Sequence, residues 1–230
     1  MLRTLFPLLL ALVLGPAWAD EATVKKSVEA WLGGKVDAVR KTGLLGLYEI
    51  QAGNEIYYTD EKVSLLFDGN IIDTRTRTNL TQERLNKLSA IKFADLPLEL
   101  AVKTVRGDGK RVIATFEDPN CTYCKKLAKE LQAVNNITIY TFLLPILSRD
   151  SAEKSRAIWC APDRAKAWSD YMVGGMPIAP GTCEAPIDKV IGLAQKYNIR
   201  GTPTIFLSNG ERIPGALPVA QLEQKLAQVR

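Results

Sequence analysis

Histidine is absent from the 230 residues. That removes the usual general base near neutral pH, the usual partner of a nucleophilic cysteine and the commonest zinc ligand. Any chemistry must run on cysteine, carboxylate, lysine, tyrosine or backbone groups. Basic blocks are missing too. Thirty Lys and Arg against 25 Asp and Glu leave a net charge of +5, spread along the chain with no run of five or more, which does not point to nucleic-acid binding. Apolar runs are confined to the first residues, and no internal repeat or low-complexity segment stands out.

That first run, Leu5 to Leu14, is ten residues long, whereas spanning a bilayer takes about 20. It follows a short basic start, Met1 to Arg3, and precedes the small-x-small pattern Ala17-Trp18-Ala19. Residues 1–19 therefore read as a secretory signal peptide, removed before Asp20; a buried N-terminal helix is the plain alternative. No cysteine follows the cleavage point, so a lipoprotein anchor is not indicated. The mature chain of 211 residues, with a charge of +4 once Arg3 is gone, is expected to be soluble and exported. Thiols outside the cytosol tend to be oxidised, so all four cysteines count as possible disulfide partners.

Three textures follow. Residues 20–78 open with a helical candidate, Ala22 to Leu32, stopped by Gly33-Gly34. Short strand-like pieces come next at 46–51, 55–60, 63–67 and 70–74, divided by Gly53-Asn54 and Asp68-Gly69. They predict a small antiparallel sheet whose core is marginal by itself, and self-association is expected. Residues 79–97 run from a candidate N-cap, Asn79, to a stop at Pro97, with Leu85, Leu88 and Ile91 as a thin apolar stripe; this reads as a linker helix. From 98 to 230 strands and helices alternate. Strands are predicted at 111–118 and 137–144, helices at 125–134, 151–175, 186–197 and 218–229, and a hairpin at 202–213 with Asn209-Gly210 at its turn. The fold class is α+β, with a compact α/β domain in the C-terminal part.

The chemistry concentrates in Asp118 to Leu127, "DPNCTYCKKL". Cys121 and Cys124 form one close pair, while Cys160 and Cys183 stand 23 apart. A structural zinc site usually takes four Cys or His ligands, often as two close pairs, so no metal is expected. A plain Cys121–Cys124 staple is the bland reading, but so short a loop removes little chain entropy. Pairing Cys160 with Cys183 closes a longer loop, worth roughly 3 kcal/mol in the entropic view, and leaves Cys121 and Cys124 as a reactive couple. A strand ending near Asp118 and a helix starting near Cys121 set the first sulfur at a helix N-terminus. Such a setting can lower a thiol pKa from about 8.5 to ~3.5–7.5. Cys124, one turn inside, is expected to be less exposed and less acidic. Cys121 would attack and Cys124 would resolve. Lys125 and Lys126 read as solvated lysines that can add to the positive field. Glu117 and Asp118 read as exposed turn carboxylates, with proton transfer as the alternative.

A strand, C-x-x-C at a helix start and a distant Thr202-Pro203 opening a strand resemble the thioredoxin fold. "GLYEIQ", "NIIDT", "NLTQERL", "FADLPLELAVKTVRGDGKR", "FEDPNCTYCKKL" and "RGTPTIFLSNGERIPG" resemble, more narrowly, the DsbC/DsbG type of periplasmic thiol:disulfide isomerase. The likeness runs through essentially the whole mature chain. It implies a thioredoxin-like C-terminal domain with a helical insertion, joined by the linker helix to an N-terminal dimerisation sheet. It implies V-shaped homodimers with active sites facing a cleft, a cis Pro203 beside Cys121, strand addition of substrate at Thr202 and a structural Cys160–Cys183 disulfide. It also implies an inner-membrane reductase, DsbD, as electron donor, misoxidised exported proteins as substrates, a periplasmic location and no cofactor. Thr122-Tyr123 departs from the Gly-Tyr or Pro-Tyr of better-known members and is expected, with Thr202 and Pro203, to touch substrate. Thr115 stands where thioredoxin keeps a buried acid. The expected activity is disulfide isomerisation or reduction; a dithiol oxidase, a sulfenic-acid reductase and a chaperone with secondary thiol activity are the alternatives.

Overall fold

The computed structural model describes residues 20–229 except Asn54, so the signal-peptide reading of residues 1–19 lies outside the described residues. The chain divides into two compact units, the first ending at Leu85 and the second beginning at Asn86.

In the first unit, helix α1 (Glu21–Leu32) starts where the Asp20 carboxylate accepts the Thr23 amide at 2.7 Å and stops at Gly33, whose φ of 66° suits a residue without Cβ. Strands β1 (Ala38–Lys41), β2 (Tyr48–Ala52), β3 (Glu55–Thr59) and β4 (Leu66–Asp68) form an antiparallel sheet in that order. Val24 and Val28, one helical turn apart, pack against Val36, Val39, Tyr48 and Ile50. A two-stranded ribbon, β5 (Ile72–Asp73) and β6 (Thr78–Asn79), leads into α2 (Leu80–Leu88). Asn79 accepts the Gln82 amide at 2.9 Å at the head of that helix. Tyr58 and Thr81 share a buried hydrogen bond of 2.6 Å. The helix ends at Leu88, and short 3₁₀ turns at Phe93–Asp95 and Leu98–Leu100 flank Pro97.

The second unit is a five-stranded sheet with helices on both faces. Its elements are β7 (Val102–Arg106), β8 (Arg111–Glu117), α3 (Thr122–Glu130), β9 (Ile137–Leu143), α4 (Arg149–Trp159), α5 (Arg164–Met172), α6 (Ile187–Lys196), β10 (Thr204–Leu207), β11 (Arg212–Pro214) and α7 (Val219–Gln228). The strand order is β11-β10-β8-β9-β7, with β8 and β9 parallel and the other pairs antiparallel. A parallel pair needs a crossover, and α3 supplies it. Strand alternation sorts the core. Ala114, Phe116, Phe142 and Phe206 meet Val190, Leu193 and Ala194 of α6 on one face. Ile113, Ile139 and Ile205 meet Leu127 of α3 and Leu222 and Leu226 of α7 on the other. Phe116 stacks on Phe142 at 4.6 Å and meets Phe206 edge-on at 5.9 Å. At the hairpin tip Gly210 has φ 86°, and a Cβ there would collide with the Ile91 carbonyl. The fold is α+β, a small antiparallel N-terminal sheet followed by a thioredoxin-like domain carrying the helical pair α4–α5.

Candidate active site

Cys121 caps α3. Its backbone is extended (φ −74°, ψ 120°), and its sulfur accepts the Cys124 amide at 3.4 Å. Serine, threonine and aspartate oxygens serve this position in most helices; here a sulfur sits among the unpaired N–H groups, where the helix dipole favours negative charge. The same sulfur lies 3.3 Å from the Thr202 carbonyl, to which its thiol donates. The Thr202-Pro203 peptide bond is cis, and the loop is held by Thr204 Oγ1 donating to the Gly201 carbonyl at 2.8 Å and by the Gly215 amide donating to the Pro203 carbonyl, also at 2.8 Å. Cys121 and Cys124 are both free thiols. Cys121 keeps 6% of its surface exposed and Cys124 none.

Burial pushes the Cys124 thiol far up, the Glu117 charge adds to that, and the Asp118 backbone amide partly offsets both. Thr122 and Tyr123 stand on the exposed side of the first turn, Tyr123 with 66% of its surface free. Lys126 is exposed, whereas Lys125 is half-buried with its ammonium 5.0 Å from the centre of the Tyr171 ring.

The expectation of exposed turn carboxylates at 117 and 118 is overturned: Glu117 is 1% exposed and Asp118 fully buried. Asp118 braces the loop. One carboxylate oxygen accepts the Asn120 amide at 2.8 Å and the other the Leu147 amide at 3.0 Å, while its carbonyl accepts the Cys121 amide at 3.0 Å. Glu117 faces inward because residues 113, 115 and 117 share the face of β8 that α3 covers. Its carboxyl is pushed up to about 7 by burial, against a smaller lowering by the Thr115 hydroxyl, which donates to it at 2.7 Å.

Asn120 was not singled out by sequence. Its side-chain amide donates to Asp150 at 2.6 Å, and its carbonyl accepts from Lys154 at 2.9 Å and from the Tyr171 hydroxyl at 3.2 Å. The residue before the first cysteine is thereby fixed to α4 and α5. The only sequence signal is an asparagine preceding the helix cap. Cys160 and Cys183 are joined by a disulfide with Cα atoms 5.6 Å apart, tying the end of α4 to the segment before α6.

The set of a helix-capping thiol, a buried second thiol three residues on and a cis-proline loop against the first sulfur defines a thioredoxin-fold dithiol protein. Residues 98–230 match the family described as "Thioredoxin-like domain", and residues 15–82 match "Disulfide bond isomerase protein N-terminal domain". A probable thiol:disulfide interchange protein DsbC of Bordetella pertussis is 50% identical over 206 residues, covering 90% of this chain and 74% of the relative. The thiol:disulfide interchange protein DsbC of Escherichia coli K12 is 29% identical over 224 residues, covering 95% and 92%. The crystal structure of a disulfide interchange protein from Neisseria gonorrhoeae superposes with a TM-score of 0.56 at 39% identity, over 58% of this chain and 97% of that one. The chain belongs to the DsbC family of thiol:disulfide interchange proteins, which are disulfide isomerase enzymes.

Proposed function

We propose that Cys121 is the attacking and Cys124 the resolving thiol of a periplasmic disulfide isomerase and reductase. The observation that carries this division is the unequal setting of the two sulfurs. Cys121 caps α3 against the Thr202 carbonyl with an edge open to solvent, and Cys124 is sealed beneath it. In the first step the Cys121 thiolate attacks one sulfur of a wrong disulfide. A Cys121–substrate bond forms and the second substrate sulfur leaves as a thiolate. That thiolate either attacks another substrate disulfide, ending in rearrangement, or the Cys124 thiolate attacks Cys121. The second route closes a Cys121–Cys124 disulfide, releases the remaining substrate thiolate and leaves the substrate reduced by two electrons.

Thr202, Pro203, Thr122 and Tyr123 form the substrate-binding rim in this reading. The Thr202 carbonyl already faces the reacting sulfur, and Tyr123, two residues on from Cys121, offers an exposed ring. Isomerisation requires the pair to be kept reduced, which implies an inner-membrane reductase of the DsbD type as donor. Residues 1–19 are taken as the export signal, 20–78 as the dimerisation domain, 79–97 as the linker and 98–230 as the catalytic domain. Among the described residues no helix is long and apolar enough to cross a membrane. Homodimerisation through the first unit is supported by its edge strand β4, all three residues of which are exposed, and by exposed Leu45, Leu65 and Phe67.

The test is refolding of scrambled ribonuclease by wild type and Cys121→Ala side by side. Recovery of ribonuclease activity is expected only with wild type; equal recovery with the variant would remove the dithiol reading. For the donor, the reduced fraction of the pair should fall in cells lacking the reductase, and an unchanged fraction argues against it.

A further inference from the structure

The two residues that flank the C-x-x-C segment both rest on one side chain of the helical pair. Tyr171 of α5 donates its hydroxyl to the Asn120 side-chain carbonyl at 3.2 Å, and the centre of its ring lies 5.0 Å from the Lys125 ammonium. Asn120 directly precedes Cys121, and Lys125 directly follows Cys124. Trp168 and Met172, one helical turn apart on α5, share an apolar cluster with both cysteines, and Tyr171 packs against it. Ile158 and Trp159 of α4 belong to the same cluster.

Asn120 uses its side-chain amide fully. Nδ2 donates to Asp150 at 2.6 Å, to Ser151 at 3.1 Å and to Ser148 at 3.3 Å. Oδ1 accepts from Lys154 at 2.9 Å as well as from Tyr171. The charged partners offset each other, since Lys154 pairs with Asp150 at 2.6 Å. On the chain side Pro119 fixes one dihedral, and Asp118 accepts the Asn120 and Cys121 amides at 2.8 and 3.0 Å. Asp118 thus closes the turn by itself. The five side-chain bonds of Asn120 all reach outward, to α4, its Ser148 cap and α5.

Cys124 is placed by other contacts. Within the first turn of α3 the Cys124 amide donates to the Cys121 sulfur at 3.4 Å, and the Lys125 amide donates to the Cys121 carbonyl at 3.0 Å. The relation of the two sulfurs is set inside the helix. The stance of Cys121 toward the Thr202 carbonyl, 81 residues further along the chain, is set by what holds the head of the helix to the domain.

We propose that Asn120 and Tyr171 are positioning residues for attack, forming with Lys154 a clamp through which the helical pair α4–α5 aims Cys121 at an incoming disulfide. The inference rests on the dithiol reading above and names what sets the rate of its first step. In that step the Cys121 thiolate, its proton lost to solvent, bonds to one substrate sulfur. The other substrate sulfur leaves with the electron pair of the broken bond. The clamp takes no part in either bond. It holds the attacking atom near its line of approach, so less ordering remains to be done in the transition state. Resolution by Cys124 uses the geometry inside α3 and does not draw on the clamp.

The experiment is stopped-flow single turnover of the reduced full chain with a short peptide disulfide bearing a quenched fluorophore. High peptide concentration separates mixed-disulfide formation from peptide release as two phases. Asn120→Ala should slow the first phase about tenfold, with the release phase and the cooperative melt unchanged. Tyr171→Phe, which removes one hydroxyl and keeps the ring packed, should slow the first phase about fivefold and leave release alone. Lys154→Leu should slow the first phase as well, and Lys154→Arg, which still donates to the Asn120 carbonyl, should recover part of that loss. A domain that is merely loosened would slow both phases alike. First-phase rates of Asn120→Ala and Tyr171→Phe equal to wild type, or equal slowing of both phases, overturn the clamp alone. Absence of the first phase in wild type overturns the dithiol reading and the clamp together.

Discussion

The two units of the chain are irregular in opposite ways. The first leaves apolar groups outside: Leu45 is 97% exposed, Trp31 63%, and the edge strand β4 presents Leu66 and Phe67. The second takes polar groups inside: Glu117, Asp118, Thr115 and the Cys124 thiol are all enclosed. A scattered exposed leucine is ordinary, whereas an apolar patch or a buried charge calls for an explanation. A unit this small has a marginal core, and its exposed apolar groups are the surface on which the proposed homodimer would close. The second unit closes its core with three stacked and crossed phenylalanines and can carry the cost of an enclosed carboxylate. In the proposed reading, association belongs to the first unit and chemistry to the second.

Breaking the first half of that contrast should give the largest effect. A charge at Phe67, together with one at Leu45, puts unpaired charge into the proposed dimer surface, at about 3–5 kcal/mol. Sedimentation of Phe67→Asp/Leu45→Asp at micromolar concentration should give a monomer with the second unit still folded; an unchanged dimer would place the interface elsewhere. The staple of the second unit comes next. Replacing Cys160 and Cys183 by serine should lower unfolding stability by roughly 3 kcal/mol in urea titration.

The buried acid sharpens the second half. The Glu117 carboxyl sits at about 7 in the fold against an ordinary value of 4.5. The native state therefore holds its proton where the unfolded chain has lost it. Stability falls as pH rises from 4.5 through 7, by about 3 kcal/mol in all, and stays lower above. Glu117→Gln lacks this loss. The variant should gain on wild type between urea titrations at pH 4.5 and pH 8, and parallel behaviour would mean that the acid is solvated. Smallest of all, Tyr58→Phe removes the hydrogen bond to Thr81 and should cost about 1 kcal/mol, read as a shift in the melting of the first unit.

Much of this was legible in the amino-acid order. Apolar runs marked β8 and β9, which are buried on both faces, helical spacing marked α3, α6 and α7, which bury one, and Asn209-Gly210 marked the hairpin. β1 and β7 were not legible. β1 buries only Val39 among its four residues, and β7 is an edge strand with Lys103 and Val105 exposed and Thr104 and Arg106 half-buried inward. Polarity and burial are nearly uncoupled along it. Glu117 was misread because a carboxylate next to a turn is usually solvated. The correcting signal was in the strand itself, since counting by twos from Ile113 puts residue 117 under α3. The role of Asn120 was out of reach, because its partners come from α4 and α5, some 30 to 50 residues further along the chain.

The central claim is that the two thiols differ by setting, Cys121 meeting the substrate and Cys124 resolving it. The most direct measurement is peptide mass mapping of adducts trapped on Cys124→Ala and on Cys121→Ala after incubation with scrambled ribonuclease. A stable disulfide-linked adduct on Cys121 in the first variant, and none on Cys124 in the second, is the predicted result. Equal trapping on Cys124 when Cys121 is absent would contradict it.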